Sequence, residues 1–138
     1  MAKRVEGKAA IVVGGGQTAG QTVGNGRATA IVLAREGARV LVVDRHKSSA
    51  QDTVDLIHAE GGEAWAHEAD TTDEEAARGL VTAALARFGR LDILHNNVGA
   101  SLALGDATAT ELTVEAFDRS VNVNSAALSL PTVHATQG

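Results

Sequence analysis

Cysteine and tyrosine are both absent from this sequence, and its aromatic side chains amount to one tryptophan and two phenylalanines. Without cysteine there is no disulfide framework and no thiolate chemistry. With so few aromatics and a formal net charge of −5, no basic or stacking surface is offered to nucleic acid, so that partner class is excluded. No apolar run approaches the ~18 residues that a membrane span requires. The opening residues, MAKRVEGKAA, carry no apolar signal segment, so the cytoplasm is the expected location. Lysine is confined to Lys3, Lys8 and Lys47.

What is present is an α/β pattern. The 138 residues suffice for one domain with one core. Ala9 to Val13 (AAIVV) and Arg39 to Asp44 (RVLVVD) read as buried strands. Glu63 to Glu68 (EAWAHE) alternates and reads as an edge strand, and Leu91 to Asn96 (LDILHN) as a fourth. Between them lie helical stretches. The first runs from about Arg27 to Glu36, with Ala28, Ile31, Val32 and Arg35 at helical spacing and Gly37 as its stop. The second is capped by Ser48 or Ser49 and carries Ala50, Val54 and Ile57 on one face, with Gly61 ending it. The third is opened by Thr72 or Asp73, buries Ala77, Leu80, Val81, Ala84 and Phe88, and ends at Gly89. A last helix is expected from about Thr113, carrying Phe117, Val121 and Leu128. Alternation of strand and helix predicts a Rossmann-like doubly wound parallel sheet with strand order 3-2-1-4.

The stretch GGGQTAGQTVGNGRATA (residues 14–30) fits three phosphate-binding patterns. Gly14-x-Gly16-x-x-Ala19 fits a dinucleotide fingerprint. Gly15-xxxx-Gly20-Gln21-Thr22 fits a P-loop whose lysine is replaced by glutamine, with Asp44 in the place of a Mg²⁺-binding acid. Gly20-xxx-Gly24-x-Gly26 is a longer-spaced motif. The first two place Gly24 and Gly26 inside a helix, at a cost of about 1 kcal/mol each relative to alanine. Strong helical patterning begins only after Gly26, so Gly24 and Gly26, with Asn25 between them, are the residues placed to let a phosphate reach backbone N–H groups. Gly14 then permits the turn that ends the first strand, and residues 15–23 form an enlarged loop. Asp44 lies twenty residues beyond Gly24 at the end of the next strand. A carboxylate there can accept both hydrogen bonds of an adenosine ribose diol and repel a 2′-phosphate, which favours NAD over NADP. Arg45 beside it can soften that choice by pairing with a phosphate.

In order and spacing, VGGG…GNGRATA, LVVDR, EADTTDE, LHNNVG and FDRSVNVN resemble the N-terminal half of the short-chain dehydrogenase/reductase family, and the resemblance covers nearly the whole chain. It implies that Gly14, Gly24 and Gly26 are cofactor glycines, that Asp44 binds ribose, and that Asp70, with Thr71 beside it, meets the adenine edge. It implies that Asn96, Asn97 and Gly99 form the turn passing the adenosine ribose, with Val98 in place of the usual alanine. Asn124 matches an asparagine that supports a proton-relay water. The expected activity is NAD(H)-dependent transfer of hydride to or from an alcohol or carbonyl carbon.

The departures are a longer glycine loop and the missing chemistry. The family's serine lies after the next strand, and its tyrosine and lysine lie one helical turn apart. This sequence has no tyrosine and no lysine after Lys47. Residues 1–138 are therefore read as an incomplete dinucleotide-binding domain, inactive alone, with a nucleotide-binding module or inactive remnant as the alternative and a P-loop-like hydrolase as a more distant one. The five histidines show no metal-ligand spacing. His95 reads as a sheet histidine and Trp65 as packing, while Arg27 is either a phosphate contact or a solvated first-turn arginine. The polar stretch Ser101 to Thr113 suits a loop bordering substrate and an ordinary surface loop equally. An uncovered fourth strand and last helix imply a homo-oligomer.

Overall fold

The β-branched runs Ala9–Val13 (β1) and Arg39–Asp44 (β2) pair in parallel at the centre of a four-stranded sheet, with Glu63–Glu68 (β3) and Ile93–Asn96 (β4) outside them in the order β3-β2-β1-β4. The structure is a computed structural model that describes residues 3–17, 24–97 and 113–115. The expected Gly99, Asn124, loop 101–112 and apolar positions Phe117, Val121 and Leu128 lie outside those residues.

Each face of the sheet carries its own core. On one face Ala10, Val12, Val40, Val42 and Ala64 pack under helices Asn25–Arg35 (α1) and Lys47–Ala59 (α2). On the other Ala9, Ile11, Val13, Leu41 and Val43 pack under Leu80, Ala84 and Phe88 of helix Glu74–Phe88 (α3). Successive strand residues point to opposite faces, so a strand buried on both sides must be apolar at every position, as β1 is. The arrangement is the doubly wound parallel sheet that the sequence predicts.

Some boundaries and faces differ from expectation. Helix α1 begins at Asn25, two residues earlier, with Gly24 as its extended N-cap. Its buried face is Gly26, Ala30 and Ala34, whereas Val32 is 45% exposed and Arg35 is exposed. The side chains that fit beneath α1 are the small ones, because its axis lies close to the strands, so larger apolar residues stay at the flanks. Helix α2 begins at Lys47 with His46 as N-cap and no side-chain cap from Ser48 or Ser49. Asp44 organises this entry instead, since its Oδ1 accepts the N–H of His46 at 3.0 Å. Helix α3 opens as expected: the Asp73 carboxylate accepts the N–H of Glu75, and Gly89 closes the helix at a φ of 74°.

β4 begins at Ile93 rather than Leu91 because Asp92 replaces a rung of backbone ladder with its side chain. Its N–H donates to the Ala9 carbonyl at 3.0 Å, and its Oδ2 accepts the Ala9 N–H at 2.9 Å. Arg90 grips the same carboxylate through Nε and Nη2, both at 2.7 Å. These bonds, the Arg90 pair first, hold the Asp92 carboxyl at about 2, below the carboxylate value of 3.8. A carboxyl depressed by folding contributes stability that is full above its unfolded value and is lost as pH falls through the folded one. Asp92→Asn should therefore lose stability at neutral pH and show a shallower decline than the unmodified chain between pH ~4 and ~2. Urea midpoints across that range check this, and parallel declines would refute it.

Candidate nucleotide site

The carboxyl ends of all four strands lie on one edge of the sheet, and the turn after β1 and the N-terminus of α1 meet there. β1 is flanked by β2 on one side and β4 on the other, so the chain's order reverses at β1. Such a switch point leaves a crevice outside the strand ends.

The turn after β1 is built from three glycines with different reasons to be glycine. Gly14 has a φ of 75°, in the left-handed region that side chains disfavour. Gly15 is buried, and a Cβ there would stand 2.7 Å from Cγ1 of Val42. Gly16 passes directly over Asp44, since its Cβ would meet Oδ2 of Asp44 and Cβ of Ser49, each at 2.7 Å. The N–H groups of Gly14 and Gly15 both donate to the Val43 carbonyl, at 2.8 and 3.0 Å, which ties the turn to the end of β2. From Gln17 the side-chain Oε1 accepts the N–H of Gly24 at 2.5 Å, joining the turn to the start of α1 across residues 18–23, which lie outside the described residues.

Helix α1 opens with glycine at its cap, no side-chain cap and no acid in its first turn. Its N-terminal dipole is therefore not neutralised by its own side chains. Gly26, in that first turn, lies against the carbonyl oxygen of Gly14, which a Cβ would strike, and the same Cβ would stand 2.8 Å from Nδ2 of Asn97. The helix start, the β1 turn and the end of β4 are thus in direct contact. Among the described residues the helix that follows β1 begins at Asn25, after an extended Gly24.

Asp44 closes β2, half-buried, with Arg45 exposed beside it. Beyond β3, Asp70 folds back on its own turn: Oδ1 accepts the Thr72 hydroxyl at 2.6 Å and the Thr72 N–H at 3.0 Å. Those bonds, with the positive charge of Arg45, hold the Asp70 carboxyl below the usual carboxylate range, so it stays an acceptor through the neutral range. Thr71 is buried. Asn96 ends β4, and the Asn97 N–H donates to the Val13 carbonyl at 2.9 Å. Gly14, Gly24, Asn25, Gly26, Asp44, Arg45, Asp70, Thr71, Asn96 and Asn97 therefore all fall on the carboxyl edge.

Residues 8–137 match the family profile of the short chain dehydrogenases. The chain belongs to the short-chain dehydrogenase/reductase family. It is 36% identical over 125 residues to a cyclohexanol dehydrogenase of Acinetobacter sp. (strain SE19), covering 90% of this chain and 46% of that protein. It is 38% identical over 96 residues to the 7alpha-hydroxysteroid dehydrogenase of Escherichia coli (strain K12), covering 70% of this chain and 35% of the relative. Among solved structures, a Burkholderia xenovorans protein assigned to the short-chain dehydrogenases/reductases superposes with a TM-score of 0.90 at 36% identity, over 99% of this chain and 52% of the other. The chain thus spans about half the length of the short-chain dehydrogenases/reductases it matches.

Sequence reasoning passed over Gln17 and Thr53 and read Ser49 only as a helix cap, whereas these three fasten the glycine turn to α1 and α2. Ser49 Oγ donates to the Gln17 carbonyl at 3.3 Å, and Thr53 Oγ1 donates to the Gly15 carbonyl at 2.7 Å. Thr53 did leave a signal, being a polar residue on the apolar face of α2 next to Val54. Arg27 is neither simply solvated nor pointed only outward, because its Nε donates to Thr53 Oγ1 at 2.9 Å. Trp65 packs on Phe88 with ring centroids 5.3 Å apart, and His95 lies half-buried in β4 opposite Val12. Among the described residues no group of three or more His, Cys, Asp or Glu gathers to hold a metal ion, and no helix is long and apolar enough to cross a membrane.

The space around each glycine decides the sign of one substitution made twice. Alanine gains about 1 kcal/mol over glycine in a helix interior. At Gly79 in α3 nothing lies within 4 Å of a Cβ, so Gly79→Ala should stabilise by up to that amount. At Gly26 the obstacle is backbone, and overpacking of about 1–3 kcal/mol outweighs the gain, so Gly26→Ala should destabilise. Denaturant midpoints of the two variants should move in opposite directions.

Proposed function

We propose that this chain is the NAD(H)-binding portion of a short-chain oxidoreductase, with the adenosine half of the cofactor on the carboxyl edge of the sheet. The observation that carries this reading is the junction of Gly26 with Gly14, which sets a helix N-terminus with a glycine cap and no acid in its first turn over the turn after β1. A pyrophosphate there is stabilised by backbone N–H groups and the helix dipole. The Asp44 carboxylate, with Oδ1 fixed by the His46 N–H, is supplied for the ribose diol, and Asp70 for the adenine edge. The bound dinucleotide supplies the hydride acceptor or donor. These residues hold and orient it.

The likeness to an alcohol dehydrogenase and a hydroxysteroid dehydrogenase supports a secondary alcohol or ketone as the substrate class of the whole enzyme. A second reading, a binding module without turnover, rests on the absence of tyrosine and of lysine beyond Lys47, which leaves these residues without the acid–base pair that assists hydride transfer. The 138 residues alone should then bind NAD without alcohol-dependent reduction of it.

Calorimetric titration tests the cofactor choice. NAD should bind more tightly than NADP, and Asp44→Ala should narrow the difference by about tenfold, the order of one charge repulsion at a partly exposed site. Equal or tighter binding of NADP by the unmodified chain would refute the role given to Asp44.

A further inference from the structure

We propose that Thr53 is a positioning residue for the dinucleotide, acting through the Gly15–Gly16 peptide, with Arg27 as its supporting donor; this rests on the function proposed above. Thr53 is fully buried on α2, within the apolar face formed by Ala50, Val54 and Ile57. A buried hydroxyl must be satisfied, and this one is satisfied by the site. It donates to the Gly15 carbonyl at 2.7 Å and accepts from Arg27 Nε at 2.9 Å. Arg27 stands in the first turn of α1, and its Nη2 also reaches the Ser49 carbonyl at 3.5 Å. One hydroxyl thereby joins three pieces of the site: the turn after β1, the start of α1 and the body of α2.

The bond fixes a direction as well as a distance. The Gly15 N–H is held by the Val43 carbonyl at 3.0 Å, and the Gly15 carbonyl is held by Thr53. In a trans peptide the following N–H points opposite to the carbonyl. Holding the Gly15 carbonyl towards α2 therefore turns the Gly16 N–H away from α2, at the point where Gly16 passes over the Asp44 carboxylate. With glycine on both sides, no side chain restrains this peptide, so its orientation depends on such bonds. Arg27 supports the hydroxyl and spends its Nε on Thr53, so its contribution to cofactor binding passes through the turn and not through charge on a phosphate.

The test compares Thr53→Val, which keeps the shape and removes the hydroxyl, with Thr53→Ser, which restores it. Titrations with NAD are run well below each variant's melting temperature, so that only folded chain is compared. Thr53→Val should bind NAD roughly tenfold more weakly, the order expected when a buried polar pair is left unmade, and Thr53→Ser should recover most of it. A threonine that serves stability alone would lower the melting temperature and leave the affinity of the folded chain unchanged. Arg27→Gln should weaken binding to a similar degree, add little in combination with Thr53→Val, and leave the salt dependence of binding unaltered. In cofactor-free chain the Gly16 amide resonance should shift in Thr53→Val and return in Thr53→Ser. Unchanged affinity in Thr53→Val, an unmoved Gly16 amide, or a flattened salt dependence in Arg27→Gln would each overturn the role. Failure of the unmodified chain to bind NAD would remove the proposed function and this role with it.

Discussion

The contact between Gly26 and the carbonyl of Gly14 is the constraint from which the rest of the nucleotide edge follows. The first turn of α1 rests on the turn that ends β1 with no room for one additional carbon. That proximity sets how close the helix lies to the sheet, and hence why its buried face is Gly26, Ala30 and Ala34. It puts the positive end of the helix dipole over the strand end where the sheet order reverses. Interiors are packed nearly as densely as organic crystals, so such a junction behaves as a fixed point and not as a soft one.

The two ends of the sheet are built to different purposes. At the amino end, Asp92 and Arg90 stitch β4 to β1 with charge-assisted bonds on exposed groups, which serve the strand register. At the carboxyl end, the polar side chains bond mainly to backbone: Gln17 to Gly24, Thr53 to Gly15, Asp44 to His46 and Asp70 to Thr72. Backbone held in this way is preorganised, and a ligand that binds it does not have to order it first. Asp44 serves both the start of α2 and the rim of the crevice, so a single carboxylate couples the fold to the site.

The sheet was legible because its residues have one physical solution. A run such as AAIVV, apolar at every position, belongs in a strand buried on both faces, and β1 and β2 fall where the sequence puts them. Glycine stops were legible for a similar reason: Gly37, Gly61 and Gly89 all take positive φ. The buried face of α1 was not legible, since hydrophobicity favours Ile31 and Val32 while the close approach demands glycine and alanine. The caps of α2 were misread because serine is a common cap, and here Ser49 donates to Gln17 instead. The family and the carboxyl-edge residues followed from motif order. The bonds of Gln17 and Thr53 did not, because they join residues far apart in the chain through a turn whose shape no periodicity encodes.

The most direct measurement is an amide chemical-shift titration of the 138-residue chain with NAD. The largest shifts should fall on Gly14 to Gln17, Gly24 to Arg27, Asp44 and Arg45, Asp70 and Thr71, and Asn96 and Asn97, while Ala9 and Arg90 to Asp92 at the opposite end stay in place. Saturable shifts centred on that opposite end, or none at any NAD concentration, would contradict a nucleotide site on the carboxyl edge of the sheet.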